Sequence, residues 1–173
     1  MTATHAPEFD LPGVDGRSHT LDEYGDAPAL VVVQSCNHCP YVQAWEGRLK
    51  AIQADYAARG VRLVAICSND GDTHPEDSFE EMRRRSESEA FNYDYLHDAD
   101  QSVARMLGSE RTPEIFLFDS ARRLAYHGAI DDSRDEHAVT QHYLRDALEA
   151  VLDGRSPAVT ETPAVGCTVK WRR

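Results

Sequence analysis

The sequence predicts an α/β protein with a central mixed sheet flanked by helices, an N-terminal strand-and-turn extension and a C-terminal tail. Three observations predict it. Residues 29–34 and 61–67 are continuous apolar runs, as parallel strands covered on both faces require. Between them, apolar residues recur in steps of three and four, the mark of a helix. Further on, two short apolar runs flank a turn, the signature of an antiparallel hairpin. Strand and helix in alternation, with connections of this length, build parallel βαβ units.

Phe9-Asp10-Leu11-Pro12 and the following Val14-Asp15-Gly16-Arg17 read as a short strand and a turn. After the 29–34 strand, Val42, Trp45, Leu49, Ile52 and Tyr56 form one helical stripe across residues 39–59, and Gly60 supplies the stop. The second buried strand, 61–67, ends in the turn-rich Ser68-Asn69-Asp70-Gly71-Asp72. Pro75, Glu76 and Asp77 suit a helical first turn, with the helix running to about residue 89. Asp98 is a cap for a helix through Leu107 that Gly108 ends. Strands at 115–118 and 124–127 flank a turn at 119–122. A last helix, 136–152, directs Val139, Tyr143, Leu144, Ala147, Leu148, Val151 and Leu152 inward. Residues 1–154 thus form one domain. Residues 155–173, which hold Pro157 and Pro163, form a tail or edge strand on it.

Length and composition bound the function. A chain of 173 residues, 41% hydrophobic and 28% charged, fits a single domain with a substantial core. No apolar stretch approaches the roughly 18 residues of a membrane span. The first seven residues lack the basic and apolar regions of a signal peptide, which points to the cytoplasm, where a catalytic disulfide is more plausible than a structural one. A net charge of −12 argues against nucleic-acid binding. Arg83-Arg84-Arg85, followed by Glu87 and Glu89, reads as a solvated helix face.

The chemistry concentrates in Cys36-Asn37-His38-Cys39-Pro40, directly after the first buried strand. Two thiols separated by two residues at a strand-to-helix junction read as a redox pair. Free N–H groups and the helix dipole stabilise a thiolate there. Cys36 is expected at the N-cap as the exposed attacking thiol, with a pKa below the ordinary value of about 8.5. Cys39 is expected to resolve the mixed disulfide. His38 adds positive charge near the thiolate, unless it simply faces solvent. Pro40 suits the first turn, where its missing N–H costs nothing. Thr112-Pro113 is the second locus, because a proline at the start of a central strand cannot donate to the sheet and needs a reason. Cys67, in a core strand, reads as structural. Two readings stand for Cys167: a third thiol that resolves a Cys36 intermediate, or an inert thiol in a packed strand. The frequent burial of cysteine without function favours the second.

Four segments in order, 36–42 (CNHCPYV), 112–119 (TPEIFLFD), 131–134 (DDSR) and 166–171 (GCTVKW), resemble the thioredoxin-like superfamily. Within it they resemble the redoxin branch of alkyl hydroperoxide reductase/thiol-specific antioxidant proteins, and small bacterial thioredoxin family proteins with a CNHCP motif. The resemblance spans nearly the whole chain. It implies a thioredoxin-like fold and a thiol–disulfide active site at Cys36 and Cys39. It also implies a cis Pro113 facing that site, with the backbone beside it, at Thr112, binding the substrate chain. No cofactor is implied. The partners implied are protein or small-molecule disulfides and thiols with an electron donor, for a monomer or weak dimer.

Departures from the family pattern narrow the reading. Relatives often carry a cysteine where this chain has Arg111, whose charge is a candidate to hold the thiolate instead. Thioredoxin's Trp before the motif is Ser35 here, its Gly-Pro is Asn37-His38, and Leu30 stands in the neighbourhood of its buried acid. A peroxiredoxin needs a threonine in a P-x-x-x-T-x-x-C context, and Val32, Val33, Gln34 and Ser35 before Cys36 do not supply one. A Cu(I) chaperone of related fold spaces its cysteines by three residues rather than two, although soft thiolates favour that ion. A tetrahedral zinc site needs two further ligands, and the eight histidines include no helical i, i+4 pair. The sequence therefore predicts a thiol–disulfide oxidoreductase in which Cys36 attacks, Cys39 resolves and the Pro113 loop orients the substrate. Thiol peroxidase is the alternative, with Cu(I) binding behind it.

Overall fold

The computed structural model describes residues 1–173. Strand β3 (Leu30–Ser35) is buried along its whole length because its side chains face two separate cores. Val31 and Val33 enter one core, and Leu30 and Val32 the other. The same alternation divides β4 (Arg62–Cys67) and β7 (Glu114–Phe118). An apolar run without polar interruption is what such a two-sided position demands. Each Val, Leu, Ile or Phe buried this way contributes about 1.5–3 kcal/mol relative to exposure.

These strands form a five-stranded mixed sheet in the order β5-β4-β3-β7-β8, with β5 at Asp94–His97 and β8 at Leu124–Gly128. β4 pairs parallel to β3 in the register Leu30↔Arg62, and β5 pairs parallel to β4. β7 pairs antiparallel to β3 and β8 antiparallel to β7, so the predicted hairpin is present. Its turn is held by Asp119, whose Oδ1 accepts from the amides of Ala121 and Arg123, with Arg122 in the left-handed region at φ 61°. A separate small hairpin joins β1 (Asp10–Pro12) to β2 (Ser18–Thr20).

The first core is closed by α1 (Pro40–Tyr56), whose stripe Val42, Trp45, Leu49, Ile52 and Tyr56 is buried as expected, together with Met82 of α2 (Phe79–Ser88) and Leu144, Ala147 and Leu148 of α4 (Tyr143–Leu152). The second core lies under the N-terminal hairpin and α3 (Ser102–Leu107). Asp98 caps α3, accepting from the amides of Val103 and Ala104, and Gly108 ends it at φ 75°. No helix is long and apolar enough to cross a membrane.

Four expectations change. Strand β5 was not visible in the sequence. The helix expected from residue 75 is a 3-10 turn at Pro75–Asp77 followed by α2, because the Ser78 side chain accepts from the Glu81 amide and restarts the chain there. The last helix begins at Tyr143 rather than 136, since Asp135 closes a separate 3-10 turn at Glu136–Ala138. The Arg83–Arg85 cluster is not wholly a solvated face: Arg85 donates to the buried Glu46 carboxylate of α1 at 2.9 Å.

The tail meets β8 of the central sheet through a single bridge, Glu161 to His127, and forms its own two-residue strand elsewhere. β9 (Cys167–Thr168) pairs antiparallel with β6 (Arg111–Thr112), the two residues that lead into Pro113. The segment 131–134 has a structural role: buried Asp131 accepts from Trp45 Nε1 at 2.9 Å and from Arg48 at 2.7 Å, tying α1 to the chain after β8.

Candidate active site

β3 ends at Ser35 and α1 begins at Pro40, so residues 36–39 form the junction. Asn37 shapes it. Its amide donates to Asp77 Oδ1 at 2.8 Å, its side-chain Nδ2 donates to the Glu76 carbonyl, and its Oδ1 accepts from Tyr95 OH at 2.7 Å. Held in this way, residues 36–38 stay outside the helix. Cys39 takes the N-cap position, and Pro40 occupies the first turn as expected. The expectation that Cys36 caps the helix is therefore corrected. Cys36 is also not the exposed thiol of the pair: Cys36 and Cys39 are 2% and 1% exposed.

The loop at 111–113 closes over the pair. Thr112-Pro113 is a cis peptide, as expected. Thr112 is fully buried, its hydroxyl 3.5 Å from Cys36 Sγ and its carbonyl oxygen 3.6 Å from Cys39 Sγ. The structure thus brings together Cys36, Cys39, Thr112 and Pro113, which lie far apart in the chain. It adds Cys167, whose Sγ is 2.7 Å from Cys39 Sγ. All four cysteines are free thiols.

The thiols are strongly unequal. Cys39 lies below an ordinary thiol, first because of its interaction with the Cys36 sulfur. Burial opposes this, but Cys167 and the backbone amides of Val42 and Cys167 add to it. Cys36 is pushed up, by that same interaction and then by burial. Burial, followed by its contact with Cys39, raises Cys167 to about 11, against the nearby charges of Lys170 and Arg111. Cys67, fully buried, rises to about 12 through desolvation, which fits its structural reading. Cys39 sits at the N-terminus of α1, where the helix dipole favours negative charge.

Other expected contributors sit differently. Arg111 is exposed, donates to the Gly166 carbonyl at 3.5 Å, and bears on Cys167 rather than Cys36. His38 turns toward Asp77: its Nδ1 lies 2.8 Å from Asp77 Oδ2, at an angle that makes no hydrogen bond. Asp77 is the residue the sequence did not signal. It is fully buried, accepts from Asn37 and Asn69, and acts on Cys36 by its charge. It supplies a buried acid although Leu30 fills the place where the family pattern has one.

Cys36, His38 and Asp77 bring a sulfur, a ring nitrogen and a carboxylate oxygen within 4.8 Å of one another. The Asp77 oxygens are already engaged by Asn37 and Asn69, so the cluster reads as a hydrogen-bonded support for the junction. A second group, Asp15, His19 and Asp94, is likewise committed. The His19 ring nitrogens pair with Asp15 at 2.9 Å and Glu23 at 2.7 Å.

The model of the AhpC/TSA family matches residues 2–127 of the chain. Among solved structures, a hypothetical protein from Sinorhizobium meliloti 1021 is 40% identical over 99% of this chain and 95% of its own, with a TM-score of 0.93. An uncharacterized conserved protein from Geobacillus kaustophilus is 36% identical over 99% of this chain and 93% of its own, also with a TM-score of 0.93. Peroxidoxin BcpB from Mycobacterium tuberculosis shares the fold alone: it is 20% identical over 88% of this chain and 96% of its own, with a TM-score of 0.66. Among curated proteins, none matches the chain.

Proposed function

Since the chain belongs to the AhpC/TSA family of redoxins, thiol oxidoreductases or peroxidases on a thioredoxin-like fold, we propose that it catalyses thiol–disulfide exchange through Cys36 and Cys39. The observation that carries this reading is the geometry of the pair. Cys39 caps α1, Cys36 lies just before it, and both sulfurs face Thr112 before the cis proline. The sequence assigned attack to Cys36. The N-cap position of Cys39, at the positive end of the helix dipole, favours the reverse division.

The Cys39 thiolate attacks one sulfur of a substrate disulfide, forming a mixed disulfide and releasing the other substrate sulfur as a thiolate. Cys36 then gives up its proton and attacks Cys39 Sγ. The Cys36–Cys39 disulfide forms, and the second substrate thiol departs with that proton. The protein is oxidised by two electrons and the substrate disulfide is reduced by two. The Thr112 backbone, expected to bind a substrate chain, is paired with Cys167 of the tail, so Pro113 is left to orient the substrate, and no cofactor takes part. The electron donor is a thiol that re-reduces the pair.

Reduction of oxidised glutathione and of insulin, assayed beside hydrogen peroxide consumption, tests the reading. Cys39→Ser should lower disulfide reduction by on the order of 10³-fold or more, as loss of a nucleophile does, and Cys36→Ser should accumulate a mixed disulfide on Cys39. Full activity in Cys39→Ser overturns the mechanism. Peroxide turnover with no disulfide turnover makes the protein a peroxidase instead.

A further inference from the structure

Cys39 has two sulfur neighbours, and the exchange above uses only one. The second, Cys167, lies 128 positions along the chain yet stands 2.7 Å from Cys39 Sγ. A disulfide closes at about 2.05 Å, so a small side-chain movement joins the two. The approach is built by the backbone. β9 pairs Thr112 with Cys167 and Arg111 with Thr168, and the Val169 amide donates to the Glu110 carbonyl at 3.1 Å. Gly166 makes it tight: a Cβ there would lie 2.0 Å from the Thr112 carbonyl oxygen.

The following residues are anchored as firmly. The Lys170 amide donates to Asn69 Oδ1 at 2.8 Å, and its carbonyl accepts from the Asp70 amide and from Gln101 Nε2. Val169 is buried. Cys167 itself is only partly buried, whereas Cys36 and Cys39 are closed off. Arg111 and Lys170 flank it, two cations whose charge favours its thiolate.

We propose that Cys167 is a third redox-active thiol, carried to Cys39 by the chain's own C-terminal strand, and that the catalytic cycle passes through a Cys39–Cys167 disulfide. This rests on the exchange reading above and extends it outward to the solvent. The Cys167 thiolate attacks Cys39 Sγ of the Cys36–Cys39 disulfide. The old S–S bond breaks, the new one forms, and Cys36 departs as a thiolate that takes up the proton released by Cys167. No net oxidation occurs in that step. A small thiol such as glutathione then attacks the accessible Cys167 sulfur, and a second equivalent releases it as the small-molecule disulfide, leaving all three cysteines reduced. The arrangement also defines the external reactant. The backbone of Arg111 and Thr112 is already paired by the tail, so an extended polypeptide has no free strand edge there, while a small thiol needs none.

Disulfide mapping tests it. Reduced protein is oxidised with oxidised glutathione, free thiols are blocked with N-ethylmaleimide, and linked peptides are identified by mass spectrometry. Wild-type protein should yield both the Cys36–Cys39 and Cys39–Cys167 linkages. Cys36→Ser should retain only Cys39–Cys167, and Cys167→Ser only Cys36–Cys39. Wild-type protein in which every linked peptide joins Cys36 to Cys39 overturns the assignment of Cys167 and leaves the oxidoreductase reading standing. The absence of any linkage at Cys39 removes both. The wild-type measurement decides even if a variant folds poorly.

Discussion

At the scale of single residues, Cys39 is a sulfur whose charge depends on its neighbours more than on its own place at a helix end. The Cys36 sulfur is the largest cause that lowers its pKa, ahead of the helix-terminal amide of Val42. Replacing Cys36 with alanine deletes that sulfur and leaves the buried anion supported by Cys167 and two amides. The Cys39 value should then climb toward that of an ordinary thiol, about 8.5. The ultraviolet absorbance of thiolate, titrated in fully reduced protein, reads this directly. The thiolate of Cys39 should be lost at distinctly higher pH in Cys36→Ala than in the wild type. Coincident titrations would show that the helix terminus alone sets the charge. Sequence could mark the Cys36–Cys39 pair but not the direction of its asymmetry, because that depends on where Asn37 and Asp77 end the loop and start the helix.

At the scale of elements, legibility followed how local the cause was. α1 was readable from its apolar stripe, and α3 from the Asp98 cap and Gly108, because helix signals lie within the helix and its flanks. β5 carried no such signal: only Tyr95 and Leu96 of its four residues are buried, and its pairing with β4 makes it a strand. The β6–β9 pair was equally hidden, since two residues at each side meet across more than fifty positions. The tail is also fastened to β8. His127 lies 3.2 Å from Glu114 Oε2 and 3.3 Å from Glu161 Oε1, and its backbone exchanges hydrogen bonds with Thr160 and Thr162. Burial lowers the affinity of His127 for its proton, but the two carboxylates outweigh it and raise the pKa above the usual 6.5. A raised folded-state value means the tether is at full strength below about pH 6.5 and is lost as pH rises through that raised value. Hydrogen exchange at the Thr162 amide, corrected for its intrinsic pH dependence, should therefore accelerate across that window in the wild type. In His127→Ala the profile should be flat, and an unchanged wild-type profile would mean the tail is held by its backbone alone.

At the scale of the whole molecule, the site depends on α1 keeping its angle to the sheet, and one buried group controls that. Asp131 binds Trp45 and Arg48 of α1, and Arg48 in turn donates to the carbonyls of Ser133 and Arg134. Asp131→Ala leaves Arg48, whose side chain is 11% exposed, without its counter-ion and strands the Trp45 indole N–H. Breaking a buried ion pair from one side costs about 3–5 kcal/mol. Urea denaturation should register a loss of that size, and a change below about 1 kcal/mol would show that the pair is effectively solvated. The long reach of Cys167 has a different consequence, one of timing. A ribosome delivers Cys36 and Cys39 early and must add 128 more positions before the third sulfur exists. The growing chain thus passes through a stage in which the pair and the 111–113 loop over it have been made but the strand that carries the third sulfur has not. A three-sulfur site is an achievement of the finished protein and is absent from the nascent one.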